Sequence, residues 1–200
     1  MSTKRRKSSR DVAIKDILSP STRKDYQTIA HVNPDSVNHD YFTHHLPLAD
    51  IIVDTDYEGT SASIRSAVKN GKLCKDEIRG DKIKSSLANS DFILTITEMS
   101  INSSGEVETK IVGFATVKII YDTKRKASLS STPKIAMFID VFCGHIYYKK
   151  VGTRMMTELR DIAKSLEIKT IHLDSITESL GFYANIGFEC DPTCKMRWKI

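Results

Sequence analysis

Ser179-Leu180-Gly181-Phe182-Tyr183-Ala184-Asn185-Ile186-Gly187-Phe188-Glu189 is the stretch whose reading decides the fold. It predicts a short amphipathic helix that Gly187 breaks into a strand, with Tyr183 beside Phe182 in the last full turn. One aromatic is enough to pack such a helix, and a second that carries a hydroxyl can also do chemistry. Upstream, Val151-Gly152-Thr153-Arg154-Met155-Met156 places a glycine at the opening of a long helix, directly after an apolar strand. A helix N-terminus leaves backbone N–H groups unpaired and carries partial positive charge, so it receives anions readily. Together the two segments predict a phosphate-bearing cofactor at one helix start and a phenol near its reactive end.

Working outward, Thr153 to Glu167 carries Met155, Met156, Leu159, Ile162, Ala163 and Leu166 on one helical stripe. Ile135 to Cys143 is a nearly all-apolar strand, as expected at a sheet centre covered on both faces. Thr170 to Ser175, Phe188 and Lys195 to Ile200 supply later strands. Earlier, Asp91 to Met99 and Lys110 to Tyr121 read as strands around the turn cluster Asn102-Ser103-Ser104-Gly105, and residues 122 to 133 read as a polar loop. Asp50 to Thr55 is the first strand of the domain. Helices follow over Thr60 to Asn70, closed by Asn70-Gly71, and over Cys74 to Ala88. The order is β-α-α-β-β-β-α-β-α-β-β, a mixed α/β (α+β) domain over residues 47–200.

Residues 1–46 read as a basic extension. Lys4, Arg5, Arg6, Lys7 and Arg10 carry as many positive charges as the whole chain's net +5. Such an arm can contact an anionic partner: nucleic acid, acidic lipid or an import receptor. A short helix is predicted over 11–18, ended by Pro20. From Ser19 to His45 the text is polar, and His31, His39, His44 and His45 read as a solvated loop without metal-ligand spacing. No apolar run is long enough to span a membrane, and no signal-peptide core is present. Cys74, Cys143, Cys190 and Cys194 show no disulfide framework and no second ligand pair for zinc. Cys143 is expected to act as a small hydrophobe. An intracellular, cytoplasmic location fits free cysteines best, and the basic N-terminus also fits a nuclear one.

Three further groups could carry chemistry. Asp140 is an acid within an apolar strand and needs a partner or a role, because an unpaired buried charge is costly. It either serves as a base, or caps a backbone group or pairs with a nearby Lys. Glu98 and His145 are the other candidate bases. Gly152 either lets the backbone approach a phosphate or permits tight packing.

The strand–glycine–helix junction and the string Phe182-Tyr183-Ala184-Asn185-Ile186-Gly187-Phe188 resemble the GNAT superfamily of acetyl-CoA-dependent N-acetyltransferases. The second motif matches that family's F-Y-x-x-x-G-F outright. The likeness covers about residues 48–200 and implies a mostly antiparallel central sheet flanked by helices. It also implies that acetyl-CoA lies along Val141, Phe142 and Cys143. Its pyrophosphate would be held by Lys149, Lys150, Val151, Gly152, Thr153 and Arg154. Tyr183 would protonate the departing thiolate, and main-chain amides near Val141 to Cys143 would polarise the acetyl carbonyl. Three positions depart from the family pattern: Tyr147 stands where the phosphate loop has Gln or Arg, Lys150 where it has its first glycine, and Ile176 where many members carry Asn. The region around Phe142-Cys143 and Val151 to Met156 also looks like that of histone acetyltransferases in the superfamily.

The leading expectation is direct acetyl transfer to a primary amine, of a small molecule or a protein. The alternative is a GNAT-fold binding protein without catalysis, anchored through the basic arm. A nucleic-acid-associated factor lacks the aromatic interleaving that would support it.

Overall fold

The computed structural model describes residues 25–49, 51–74, 78–102, 104–121, 135–145, 147–191 and 195–200. The basic stretch 1–24, with the expected helix at 11–18, lies outside the described residues, as does the loop expected at 122–133.

The strands are β1 (Asp25–Val32), β2 (Ile52–Asp54), β3 (Phe92–Ile101), β4 (Val107–Tyr121), β5 (Ile135–Gly144), β6 (Thr170–Asp174), β7 (Glu189–Cys190) and β8 (Lys195–Lys199). The helices are α1 (His39–His45), α2 (Tyr57–Lys69), α3 (Gly80–Asn89), α4 (Val151–Ser165) and α5 (Leu180–Asn185). The strands form one sheet in the order β2-β1-β3-β4-β5-β6-β8-β7. Only β1–β2 and β5–β6 are parallel pairs. This is the mixed, mostly antiparallel sheet flanked by helices that the sequence led one to expect.

Both faces of the sheet are covered. Phe92, Leu94 and Ile96 of β3 join the core beneath α1 and α4, while Ile93, one residue out of step, joins the core beneath α2 and α3. That two-residue alternation with both faces buried explains why β3 and β5 read as continuous apolar runs. Asp56 caps α2 by accepting from the Gly59 N–H at 2.9 Å. Gly71, at φ +65°, closes the same helix as the Asn70-Gly71 signal predicts.

The expectation of a polar loop before residue 47 is corrected. Residues 25–32 form β1, which pairs in full register with β3 from Asp25↔Met99 to Val32↔Phe92. The polar letters hid it because its imidazole is satisfied within the fold. His31 is buried, and its ring nitrogens lie 3.1 Å from the hydroxyls of Thr95 and Thr60. Burial holds this imidazole below its usual pKa, against the upward pull of Asp54 and Asp56. In α1, Phe42 is fully buried against Phe92, with ring centroids 5.4 Å apart. The strand expected at Asp50 to Thr55 is therefore the short edge strand β2, outside β1.

The helix expected from Cys74 begins at Gly80 instead. Cys74 has a left-handed backbone (φ +68°) and is bonded to Cys143 of β5 through a disulfide, so it cannot start a helix. The reading of free cysteines is corrected with it. The argument for a reducing compartment rested on those free cysteines and loses that support. Cys190 is a free, exposed thiol, and Cys194 lies outside the described residues. No helix among the described residues is long and apolar enough to cross a membrane.

Candidate active site

β5 and β6 run side by side only from Ala136↔Thr170 to Ile139↔Leu173 and then part. Opposite β4, Thr116 faces Val141 and Val117 faces Ile139, which leaves Asp140 as an extra, bulged residue. A bulge bends its strand and raises the local twist, turning the far half of β5 away from its neighbour. The divergence opens a cleft of about 360 Å³, lined by β5 beyond the bulge, the end of β6, α5, the start of α4 and the α2–α3 connection.

At one side of the cleft α4 begins. Its N-cap, Lys150, has φ +66° and ψ 2°, the left-handed region in which glycine is favoured. Lys150 is the residue that departs from the resembled pattern, which has a glycine here, and its backbone lies where a glycine is favoured. Gly152 lies among aromatics: a Cβ there would sit 3.3 Å from Phe182 and 3.5 Å from Phe142. Its open alternative resolves toward close packing. Val151 is buried on Gly113 of β4, where a Cβ would come within 2.5 Å of the valine methyl. Lys149, Lys150 and Thr153 are exposed at the helix start. Arg154 turns elsewhere, donating to the Tyr26 carbonyl at 3.0 Å, stacking over the Tyr26 ring and pairing with Glu158 at 3.7 Å. Expected at the phosphate loop, it instead ties α4 to β1.

At the opposite side stands Tyr183 of α5, 7% exposed and packed edge-on against Phe142, Phe182 and Phe188. Among the described residues its hydroxyl has no hydrogen-bond partner. Burial pushes the phenol up to about 12, so the group stays protonated across the working pH range.

The three candidate bases do not share one role. Asp140 forms an ion pair with Lys82 of α3, which is the pairing alternative for that residue. Glu98 accepts from the Tyr148 hydroxyl and is not among the residues that line the cleft. His145 does line the cleft. Its Nδ1 accepts the Tyr147 N–H at 3.3 Å, which places the proton on Nε2, and that buried Nε2 has no partner among the described residues. Burial, with Lys110 and Lys72 nearby, lowers its pKa, and Glu98 pulls the other way. The imidazole is therefore neutral at pH 7.

On β5, the Val141 N–H donates to the Thr116 hydroxyl at 2.9 Å and is not free to polarise a carbonyl in the cleft. Phe142 presents its ring to the cleft, and Cys143 is consumed by the disulfide to Cys74. A bridge between Leu73 and His145 lies beside that bond. The α2–α3 connection thereby becomes a fixed wall of the cleft, which no local pattern announced.

Two further residues were missed. Leu173 belongs to the core under α4, so alternation along β6 turns His172 and Asp174 to the α2–α3 face. Asp174 lines the cleft just past the point of divergence. The strand text TIHLDS, with apolar and polar residues in alternation, was the available signal.

No protein-family model matches the chain, and no curated protein matches it. Solved structures do resemble it. NAA60 of Arabidopsis thaliana in complex with acetyl-CoA is 11% identical, covering 62% of this chain and 85% of its own, with a TM-score of 0.47. GCN5 of Tetrahymena is 12% identical over 88% of this chain and 96% of its own, with a TM-score of 0.44. The PaiA N-acetyltransferase of Thermoplasma acidophilum, in complex with coenzyme A, is 18% identical over 72% and 93%, with a TM-score of 0.41. These are likenesses of fold; the functional reading stands on the residues of this chain.

Proposed function

We propose that this chain is an acetyl-CoA-dependent N-acetyltransferase that passes the acetyl group directly to a primary amine. The observation that carries the reading is the buried, unpartnered Tyr183 phenol on the cleft where β5 parts from β6. A phenol on the cleft lining with no protein partner is available to donate a hydrogen bond to a ligand atom there.

The residues fit a thioester-bearing nucleotide coenzyme. The unpaired N–H groups at the start of α4, beside Lys149 and Lys150, suit a diphosphate. The edge of β5 past Ile139 has no strand neighbour on its β6 side, so its backbone can pair with an extended arm that carries amides. Phe142, Phe182 and Gly152 give that arm an apolar floor.

Bound acetyl-CoA supplies the activated acetyl group. A neutral amine nitrogen bonds to the carbonyl carbon, the carbon–sulfur bond breaks, and the sulfur takes the proton of the Tyr183 hydroxyl. The phenolate regains a proton that originates on the amine, so the net change is amine plus thioester to amide plus thiol. A phenol with a pKa of about 12 is fully protonated beforehand, which is the form a donor needs. Nothing in this route requires a nucleophilic side chain.

Acetyl-CoA at a hundredfold over its Kd is expected to stabilise the protein by about 2.7 kcal/mol, read as a rise in Tm. Tyr183→Phe should keep that rise while turnover, followed by thiol release, falls roughly 10²-fold. No Tm rise with millimolar coenzyme refutes the enzyme reading and leaves a GNAT-fold binding protein. A Tyr183→Phe variant of unchanged turnover removes the tyrosine from its role.

A further inference from the structure

We propose that Asp174 anchors the acceptor, and that the acceptor is a primary alkylammonium with an apolar stem. The inference deepens the acetyltransferase reading and rests on it for the reaction, though not for the binding. Among the described residues that line the cleft the only charged side chains are Asp140 and Asp174. Asp140 is engaged by Lys82. Asp174 has neither an ion pair nor a hydrogen bond among the described residues, although Lys195 lies opposite it across the β6–β8 pair.

Geometry puts this carboxylate where an acceptor must arrive. It is the first residue of β6 beyond the last pair with β5, and it faces the α2–α3 side that Asp140 also faces. The coenzyme's phosphates would sit at the start of α4, on the opposite core. His172, on the same face two residues earlier, has its pKa lowered by burial and by Arg197 and adds no positive charge at neutral pH. One buried polar atom on the same cleft also lacks a partner among the described residues, His145 Nε2. The cleft is thus set up for a ligand and is negative at its acceptor end.

The stem is read from the apolar lining. Ile176 is 40% exposed and lies two positions from Asp174 on the cleft wall. Ile78 lines the cleft from the α2–α3 connection. An ammonium on Asp174 would lay a short aliphatic chain against this pair. Removing apolar surface from water favours that arrangement, and a carboxylate favours the charged head.

The full chain tests this with n-butylamine, using n-butanol as the uncharged counterpart. Butylamine should raise Tm more than butanol does. Asp174→Asn should erase the difference and Asp174→Glu should restore it. In steady-state acetylation of butylamine, Asp174→Asn should raise the amine KM at least tenfold, with kcat within about twofold and the acetyl-CoA KM unchanged. Equal shifts for amine and alcohol in the unmodified protein would overturn the proposal, and so would an unchanged amine KM in Asp174→Asn. If the protein neither responds to acetyl-CoA nor releases thiol, the acetyltransferase reading fails by itself, and the amine-against-alcohol comparison still decides the anchor.

Discussion

Lys150 holds a backbone conformation that costs a residue with a Cβ about 1–2 kcal/mol and costs glycine little. Its side chain is exposed, so no packing holds it there. What holds it is the turn that brings Val151 down onto Gly113, since the helix cannot begin elsewhere without lifting that contact. Lys150→Gly is therefore expected to stabilise the fold by about 1 kcal/mol, less the greater chain entropy of glycine in the unfolded state. A thermal melt reads this as a rise in Tm, and a fall would show that the lysine makes a compensating contact. The variant should bind acetyl-CoA at least as tightly, because a glycine lets a phosphate come closer to the backbone. At the same scale, Arg154 and Val141 show how a well-matched position can be taken by other work. One donates to the Tyr26 carbonyl and the other to the Thr116 hydroxyl.

Among the elements, the two bulges set the geometry. Val112 is the extra residue of β4 against β3, and Asp140 is the extra residue of β5 against β4. The second lies next to the last β5–β6 pair, so one inserted residue both opens the cleft and carries an acid toward α3. The disulfide then joins the α2–α3 connection to the same half of β5, across a sequence separation of 69 residues. Closing so long a loop restricts the unfolded chain and contributes about 2–4 kcal/mol. Reduction with a dithiol should lower Tm accordingly, and a Cys74→Ser/Cys143→Ser double variant should reproduce the loss and be indifferent to the reductant. Equal Tm values in oxidised and reduced protein, with free thiols counted by a thiol-reactive chromophore, would show that the bond contributes nothing. Because both cysteines line the cleft, the same bond ties the wall formed by the α2–α3 connection to β5.

At the scale of the whole molecule, β1 decides where the domain starts. It lies between β2 and β3, and Ala30, Val32, Phe42 and Leu46 are buried in the core that α4 covers. A chain of residues 47–200 loses all eight β1–β3 pairs and exposes that core. It is expected to lack a cooperative unfolding transition by circular dichroism, and a sharp melt at the full-length Tm would show that β1 is dispensable.

The amphipathic stripe of α4, the apolar runs of β3 and β5 and the Phe182–Phe188 string were legible in sequence, and their order followed from them. Each is a local pattern: side-chain periodicity, a glycine at a helix end, a β-branched run. Local sterics and the burial of one face fix such patterns within a few residues. β1 was not legible, because Thr28, His31 and Gln27 read as solvated until Thr95 and Thr60 are brought to the imidazole from distant segments. The chemistry of the cleft was hidden in the same way. That Asp140 is paired and Asp174 unpaired, that Cys143 is bonded, and that Tyr183 is buried without a partner all depend on residues far apart in the chain. The sequence by itself determined the elements and the place of the phenol. Tertiary structure alone decided which carboxylate, amide and thiol remain free, because strand register and a single bulge choose the partners and no local pattern encodes that choice.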